Sequence, residues 1–263
     1  MSKVAQYLVE LFSLEGKVAV IIGGGGVLAG TVAKAYAKAG AKVAVLDLNK
    51  DNAEQRVQEI QAEGGTAMAL AVNATSRREL EEADRRIAEA WGRVDILVNA
   101  PGINSATPFF EITEEEWHKI LDVNLKSMFL ACQVFGKRMI EQGQGGSIIN
   151  FSSASSGPPL SKVFTYSISK AGVNNLTQWL AREWAPYRIR VNAIAPGFFP
   201  AEQNRRILTE ERIADIMRHT PMKRFGEPEE LIGAMLWLAS DKASSFVTGH
   251  IVRVDGGFTA MTI

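Results

Sequence analysis

The chain has 263 residues, 46% of them hydrophobic and 22% charged, which fits one α/β domain with a large buried core. Its 29 Lys and Arg balance its 29 Asp and Glu, so no charge excess points to nucleic acid or an anionic membrane surface. The single cysteine, Cys132, excludes an internal disulfide framework and suits a reducing, cytoplasmic setting. His118, His219 and His250 have no metal-ligand spacing, so no metal is expected.

In chain order, Val4, Leu8, Leu11 and Phe12 come first, at helical intervals. They read as a short amphipathic lead-in docked on the body or on a neighbouring subunit. The segment lacks the charged region and following apolar run of a signal peptide. No run approaches the ~18 apolar residues of a membrane span.

Val18–Ile22 is a strand-like run, followed by Gly23, Gly24, Gly25 and Gly26. Val27-Leu28-Ala29-Gly30 then opens an Ala-rich helical stretch, which Gly40 ends as a natural C′ residue. A second strand up to Asp47 completes a half βαβ unit. Glycines let the backbone approach a pyrophosphate, and the helix start at Val27 and Leu28 aims free N–H groups and a positive dipole end at it. Asp47 lies where a carboxylate accepts hydrogen bonds from adenosine ribose hydroxyls and repels a 2′-phosphate. The glycine loop offers no Arg or Lys for that phosphate, so NAD is the expected cofactor. Lys50 nearby keeps NADP as the alternative.

Further strands are expected over Val43–Asp47, Ala67–Val72, Ile96–Asn99, Ser147–Phe151, Arg190–Ile194 and Ile251–Val254, with helical patterns between them. Ser76-Arg77-Arg78-Glu79 and Thr113-Glu114-Glu115-Glu116 have capping-box spacing, and Pro228 suits a first helical turn. Arg77-Arg78 and Arg85-Arg86 alternate with Glu as a solvated face, and Cys132 falls in an apolar, core-like run. Seven strands with intervening helices predict a Rossmann-type doubly wound seven-stranded parallel sheet, one domain over residues 1–263.

One helix carries chemistry. Tyr166 and Lys170 in Y-S-I-S-K share a face at i and i+4, with Ser153 thirteen residues upstream and Asn124 in D-V-N-L before that. A phenol with pKa near 10 is a poor base at neutral pH, and a neighbouring ammonium favours its phenolate. The set offers a general base, its electrostatic activator, an oxyanion donor and a proton relay. A buried tyrosine beside a solvated lysine is the plain alternative.

With these segments in hand, the chain resembles the short-chain dehydrogenase/reductase family from about residue 14 onward. The resemblance is carried by I-G-G-G-G-V-L-A-G, L-D-L-N, N-A-P-G, D-V-N-L, N-F-S-S, Y-S-I-S-K, R-V-N-A-I-A-P-G-F-F, F-V-T-G and V-D-G-G-F. Within the family it is most similar to the D-mannonate oxidoreductase (fructuronate reductase) type, through G-G-G-V-L-x-G, N-L-T-Q-W-L-A, A-P-G-F-F-P-A-E-Q-N-R and H-T-P-M-K-R-F-G-E-P-E-E-L. The gluconate 5-dehydrogenase type is similar too.

The resemblance implies a catalytic set of Asn124, Ser153, Tyr166 and Lys170, with Ser152 as the alternative serine. Asn124 would position a relay water, and Lys170 would also hold the nicotinamide ribose. Asn73 and Ala74 stand where the family contacts adenine. Asn99, Ala100 and Gly102 form the turn beside the nicotinamide ribose, and Pro196, Gly197 and Phe199 form a further cofactor wall. Pro101, inside N-A-P-G, departs from the family pattern, as do Val27 and Ala29 at two usual glycine places.

Residues 198–221 correspond to a substrate lid. There Arg205 or Arg206 would clamp a sugar-acid carboxylate, with Gln203 or Asn204 on hydroxyls; a solvated arginine pair is the alternative. The implied activity is NAD-dependent interconversion of a secondary alcohol and a ketone on a sugar acid or polyol, D-mannonate/D-fructuronate before gluconate/5-ketogluconate. A 3-oxoacyl carrier-protein reductase and a non-catalytic dinucleotide-binding protein are the competing readings. By family analogy the chain forms a homotetramer or a dimer.

Overall fold

The computed structural model describes residues 2–200 and 209–261. Seven strands form one sheet in the order β3-β2-β1-β4-β5-β6-β7, every pair parallel. They are β1 Val18–Ile22, β2 Lys42–Asp47, β3 Thr66–Ala71, β4 Ile96–Asn99, β5 Gly146–Phe151, β6 Ile189–Pro196 and β7 Ile251–Val254. The helices are α1 Lys3–Phe12, α2 Val27–Lys38, α3 Lys50–Ala62, α4 Arg77–Trp91, α5 Glu114–Leu121, α6 Ser127–Gln142, α7 Phe164–Trp184, α8 Glu210–His219, α9 Ile232–Ala239 and α10 Asp241–Ser244.

The strands follow the expected runs closely because a parallel strand covered on both faces reads as a continuous apolar stretch. Side-chain alternation then splits each strand between two cores. Val18, Val20 and Ile22 of β1 join Leu80, Ala83 and Ile87 of α4 and the apolar faces of α6 and α7. Ala19 and Ile21 join Val32 and Tyr36 of α2, Val57 and Ile60 of α3, and Met235 of α9. Cys132 is buried in the first core, as expected, and burial pushes its thiol up to about 12. It is a packing residue.

Three local expectations change. Ser76 and Thr113 do cap α4 and α5, accepting from Glu79 N and Glu116 N. Neither reciprocal half of the capping box forms. Glu79 accepts from Asn73 N at 2.8 Å, and Glu116 accepts from the Thr107 hydroxyl at 2.7 Å, so each carboxylate staples the preceding loop instead. β3 sits one residue earlier than expected, paired in parallel with β2 from Lys42↔Thr66 to Asp47↔Ala71. The amphipathic α1 docks only through its C-terminal end: Ser240 donates to Leu11 O at 2.6 Å, whereas Val4 and Leu8 remain exposed and no residue of α1 is buried.

Strand order reverses between β1 and β4, and in open α/β sheets ligands bind at the carboxyl ends beside that switch point. The ends of β1, β4, β5 and β6 converge there.

Candidate active site

A cleft of about 760 Å³ opens at those strand ends. One wall is the turn from β1 into α2. Gly23 holds φ 73°, donates to Leu46 O at 2.8 Å, and would place any Cβ 3.0 Å from the Ala100 carbonyl carbon. Only glycine lets β1 and β4 end so close together. Gly26 caps α2 without a side-chain bond, and Val27, Leu28 and Ala29 of its first turn line the cleft. Gly24 and Gly25 face the protein instead, against Val45 and Asp47. Asp47 accepts from Gly25 N at 3.0 Å and from Asn49 N at 2.9 Å, joining the glycine turn to the β2–α3 turn.

The floor is built from β4, β5 and α7. Tyr166, half-buried in the first turn of α7, borders the cleft beside Ser153, whose hydroxyl favours its phenolate. Ser153 itself accepts from the Ser155 hydroxyl at 3.1 Å and from Ser155 N at 3.2 Å. Its own proton is therefore free for a partner in the cleft. Ser152 also borders the cleft, but its hydroxyl is spent on Asn174 at 2.6 Å. Lys170, 3% exposed, donates to Phe151 O at 2.8 Å and stands 5.5 Å from the Tyr166 ring centre.

Asn124 lies fully buried in a π-helical turn, Asp122–Lys126, a local irregularity frequent at functional sites. Its amide donates to Ile103 O at 2.9 Å and to the Ser169 hydroxyl at 3.0 Å, and accepts from Ile103 N at 2.8 Å. Ser169 in turn donates to Tyr166 O at 2.6 Å. A Cβ on Gly102 would sit 3.7 Å from both Asn124 Oδ1 and Lys170 Nζ. The 99–102 turn, the asparagine and the lysine thus meet at one point.

Electrostatics differ from the expectation of a simple lysine-activated phenol. Burial pushes the Tyr166 phenol above its ordinary value, and the Ser153 hydrogen bond pulls it back only in part. Burial pushes the Lys170 ammonium down to about 7.

Of the expected cofactor residues, Gly23, Gly26, Val27, Leu28, Ala100, Gly102, Tyr166, Lys170, Pro196, Gly197 and Phe199 line this cleft. Asp47, Asn73, Ala74 and Asn99 do not. Asn73 accepts from Thr75, and Asn99 is fully buried, donating to Asn150 Oδ1 at 2.9 Å in a polar chain that continues to Thr177. Glu202, Gln203, Asn204, Arg205 and Arg206 lie outside the described residues, whereas Thr209 and α8 border the cleft within the expected lid. Sequence reasoning missed Lys162 and Arg212, both in the lining. Thr209 starting a helix at T-E-E-R was the available signal for Arg212; nothing in the sequence marked Lys162.

A family model described as enoyl-(acyl carrier protein) reductase matches residues 26–259. The chain is 42% identical over 269 residues to the uncharacterized oxidoreductase UxuB of Bacillus subtilis (strain 168), covering 94% of this chain and 96% of that protein. It is similar, at TM-score 0.91 and 37% identity, to the NAD-bound structure of a protein from Haemophilus influenza provisionally named a D-mannonate oxidoreductase, covering 97% of this chain and 99% of that one. A gluconate 5-dehydrogenase from Burkholderia cenocepacia J2315, in complex with NADP and tartrate, gives TM-score 0.92 at 32% identity, covering 97% of this chain and all of that one.

Proposed function

The chain belongs to the short-chain dehydrogenase/reductase family, and from that premise we propose that it is an NAD-dependent oxidoreductase interconverting a secondary alcohol and a ketone on a sugar acid or polyol. D-mannonate/D-fructuronate is the first substrate pair and D-gluconate/5-ketogluconate the second. The carrying observation is that Ser153, Tyr166 and Lys170 line one cleft together with the glycine turn.

The residues present suit a dinucleotide. The uncapped start of α2 leaves N–H groups for a pyrophosphate, and Gly23 and Gly102 keep the backbone bare beside it. Asp47 at the end of β2 suits unmodified ribose hydroxyls, while Lys50 pairs with Glu54 at 3.3 Å and Arg56 pairs with Glu59, so neither neighbouring cation is committed to a 2′-phosphate. Against this, one similar structure holds NADP. Both cofactors therefore belong in the assay.

When bound, the nicotinamide supplies the hydride acceptor and a positive charge. In the oxidation direction the Tyr166 phenolate takes the alcohol proton while the carbinol carbon gives up hydride. Ser153 donates to the same oxygen and steadies its developing charge. Lys170 holds the ribose and the phenolate, and Asn124 positions both the 99–102 turn and the water that carries the proton outward.

The test is initial-rate measurement of NAD and NADP reduction with sugar acids, polyols and simple secondary alcohols. NAD-linked turnover of D-mannonate or D-gluconate is expected. Turnover of none of these alcohols with either cofactor would remove the reading. Turnover of 3-oxoacyl thioesters with NADPH would replace it with the carrier-protein reductase alternative.

A further inference from the structure

We propose that Arg212 and Lys162 form the anion-recognising end of the cleft and select a substrate that carries a carboxylate on its hydroxylated chain, a proposal that rests on the oxidoreductase reading above. Among the described residues the charged side chains lining the cleft are Lys162, Lys170 and Arg212, and no Asp or Glu lines it. Lys170 is committed to the floor through Phe151 O. The other two cations are close in space, through the contact of Arg212 with Ser161. Lys162 lies four residues before Tyr166 and also borders an adjoining recess with Phe109 and Phe164.

Arg212 is held in place, and Lys162 is exposed beside it. Arg212, half-buried near the start of α8, donates from Nη1 to the Ser161 hydroxyl at 2.9 Å. Its guanidinium is thus moored to the residue preceding Lys162, and a guanidinium with five N–H donors keeps most of them for a ligand. Lys162 holds φ 67°, a left-handed conformation that a non-glycine residue keeps only where its surroundings impose it. Its ammonium has no hydrogen-bond or ion-pair partner among the described residues.

The neighbouring lining is apolar: Leu160, Val163 and Ile216. In such surroundings two cations without a counter-charge gain most from an incoming carboxylate, which a guanidinium grips through two parallel hydrogen bonds. A neutral polyol would leave both charges unmatched as water is displaced. The cleft therefore distinguishes sugar acids from sugar alcohols of equal length at a point removed from the reacting hydroxyl.

The experiment compares D-mannonate and D-gluconate with the neutral D-mannitol and D-glucitol, using wild type, Arg212→Met, Arg212→Lys and Lys162→Met. Arg212→Met is expected to raise KM for the acids by about tenfold or more with kcat little changed. Lys162→Met gives a smaller rise, and Arg212→Lys falls between wild type and methionine. The acid-to-polyol ratio of kcat/KM drops about tenfold in Arg212→Met. A purely structural role would depress acids and polyols alike, and an unmoved ratio overturns the proposal while turnover itself keeps the oxidoreductase reading intact. If only acids react, a KM rise at constant kcat supports the clamp, and a loss confined to kcat overturns it. If wild type oxidises none of the four, the oxidoreductase reading is judged separately on the wider alcohol panel above. Calorimetric titration of D-gluconate then decides: binding lost in Arg212→Met supports the clamp, and no binding to wild type overturns it.

Discussion

Tyr166 and Lys170 illustrate how one side chain can be costly to the fold and useful to the site. With the Tyr166 phenol raised by burial, alcohol oxidation needs alkaline pH or an added positive charge. Oxidation kcat/KM is expected to rise toward alkaline pH, and Tyr166→Phe should abolish that limb. The same variant should lose about 10³-fold in kcat, with NAD affinity measured by fluorescence titration nearly unchanged. Wild-type turnover in Tyr166→Phe would remove the tyrosine from the mechanism.

Lys170 makes a second prediction through linkage. Its folded-state pKa of about 7 lies below the ordinary 10.5 of the unfolded chain. Between those values the unfolded state holds the extra proton, so stability rises with pH across that window and is lowest below pH 7. Lys170→Met removes the dependence. Its stability relative to wild type in urea titrations should therefore improve by a few kcal/mol on going from pH 10 to pH 6. A pH-independent difference would contradict the buried amine. For Asp47→Ala, about tenfold weaker NAD and reduced discrimination against NADP are expected, read from KM for both cofactors.

At the scale of elements, the β1–α2 turn depends on a single conformation. Gly23→Ala places a Cβ against the Ala100 carbonyl while keeping a positive φ. A cost of about 1–2 kcal/mol is expected, with a lower Tm and weaker NAD binding, because the turn and the 99–102 segment move together. A variant with wild-type Tm and NAD affinity would show that the turn tolerates the strain. This turn, the seven strands and the Tyr–Lys helix were legible in the sequence, since each rests on local chemistry: glycine's freedom, apolar runs and helical spacing. The capping boxes were legible only by half. Local spacing supplies the Ser76 and Thr113 caps, but tertiary placement of the preceding loops decides where Glu79 and Glu116 turn.

Across the whole molecule, the C-terminal layer is tied to the sheet by Arg190. Nearly buried in β6, it donates to Leu238 O and to the Ser244 hydroxyl, both at 2.8 Å, and pairs with Asp241 at 3.1 Å. Arg190→Met should cost about 2 kcal/mol, lowering Tm by a few degrees in calorimetry. No shift in Tm would mean the three contacts are replaced. Phe129 of α6 and Trp179 of α7 are exposed beside Leu125 and Leu176, an apolar patch suited to the homotetramer or dimer expected by family analogy. Trp179→Asp should lower the mass seen by light scattering. An unchanged oligomer would place the interface elsewhere.

By itself the sequence determined the layered sheet, the glycine turn and Asp47 at the end of β2, and it singled out Asn124, Ser153, Tyr166 and Lys170 as the candidate set. Each is written in short-range pattern: a strand's apolar run, a helix's i,i+4 face, a fixed interval along one chain. Only tertiary structure decided that the Ser152 hydroxyl turns to Asn174, that Asn99 serves the buried polar chain to Asn150 and Thr177, and that Arg212 and Lys162 line the same cleft. Those outcomes depend on which direction a side chain faces once separate elements pack, and fifty residues of sequence separate Lys162 from the arginine that the fold brings beside it.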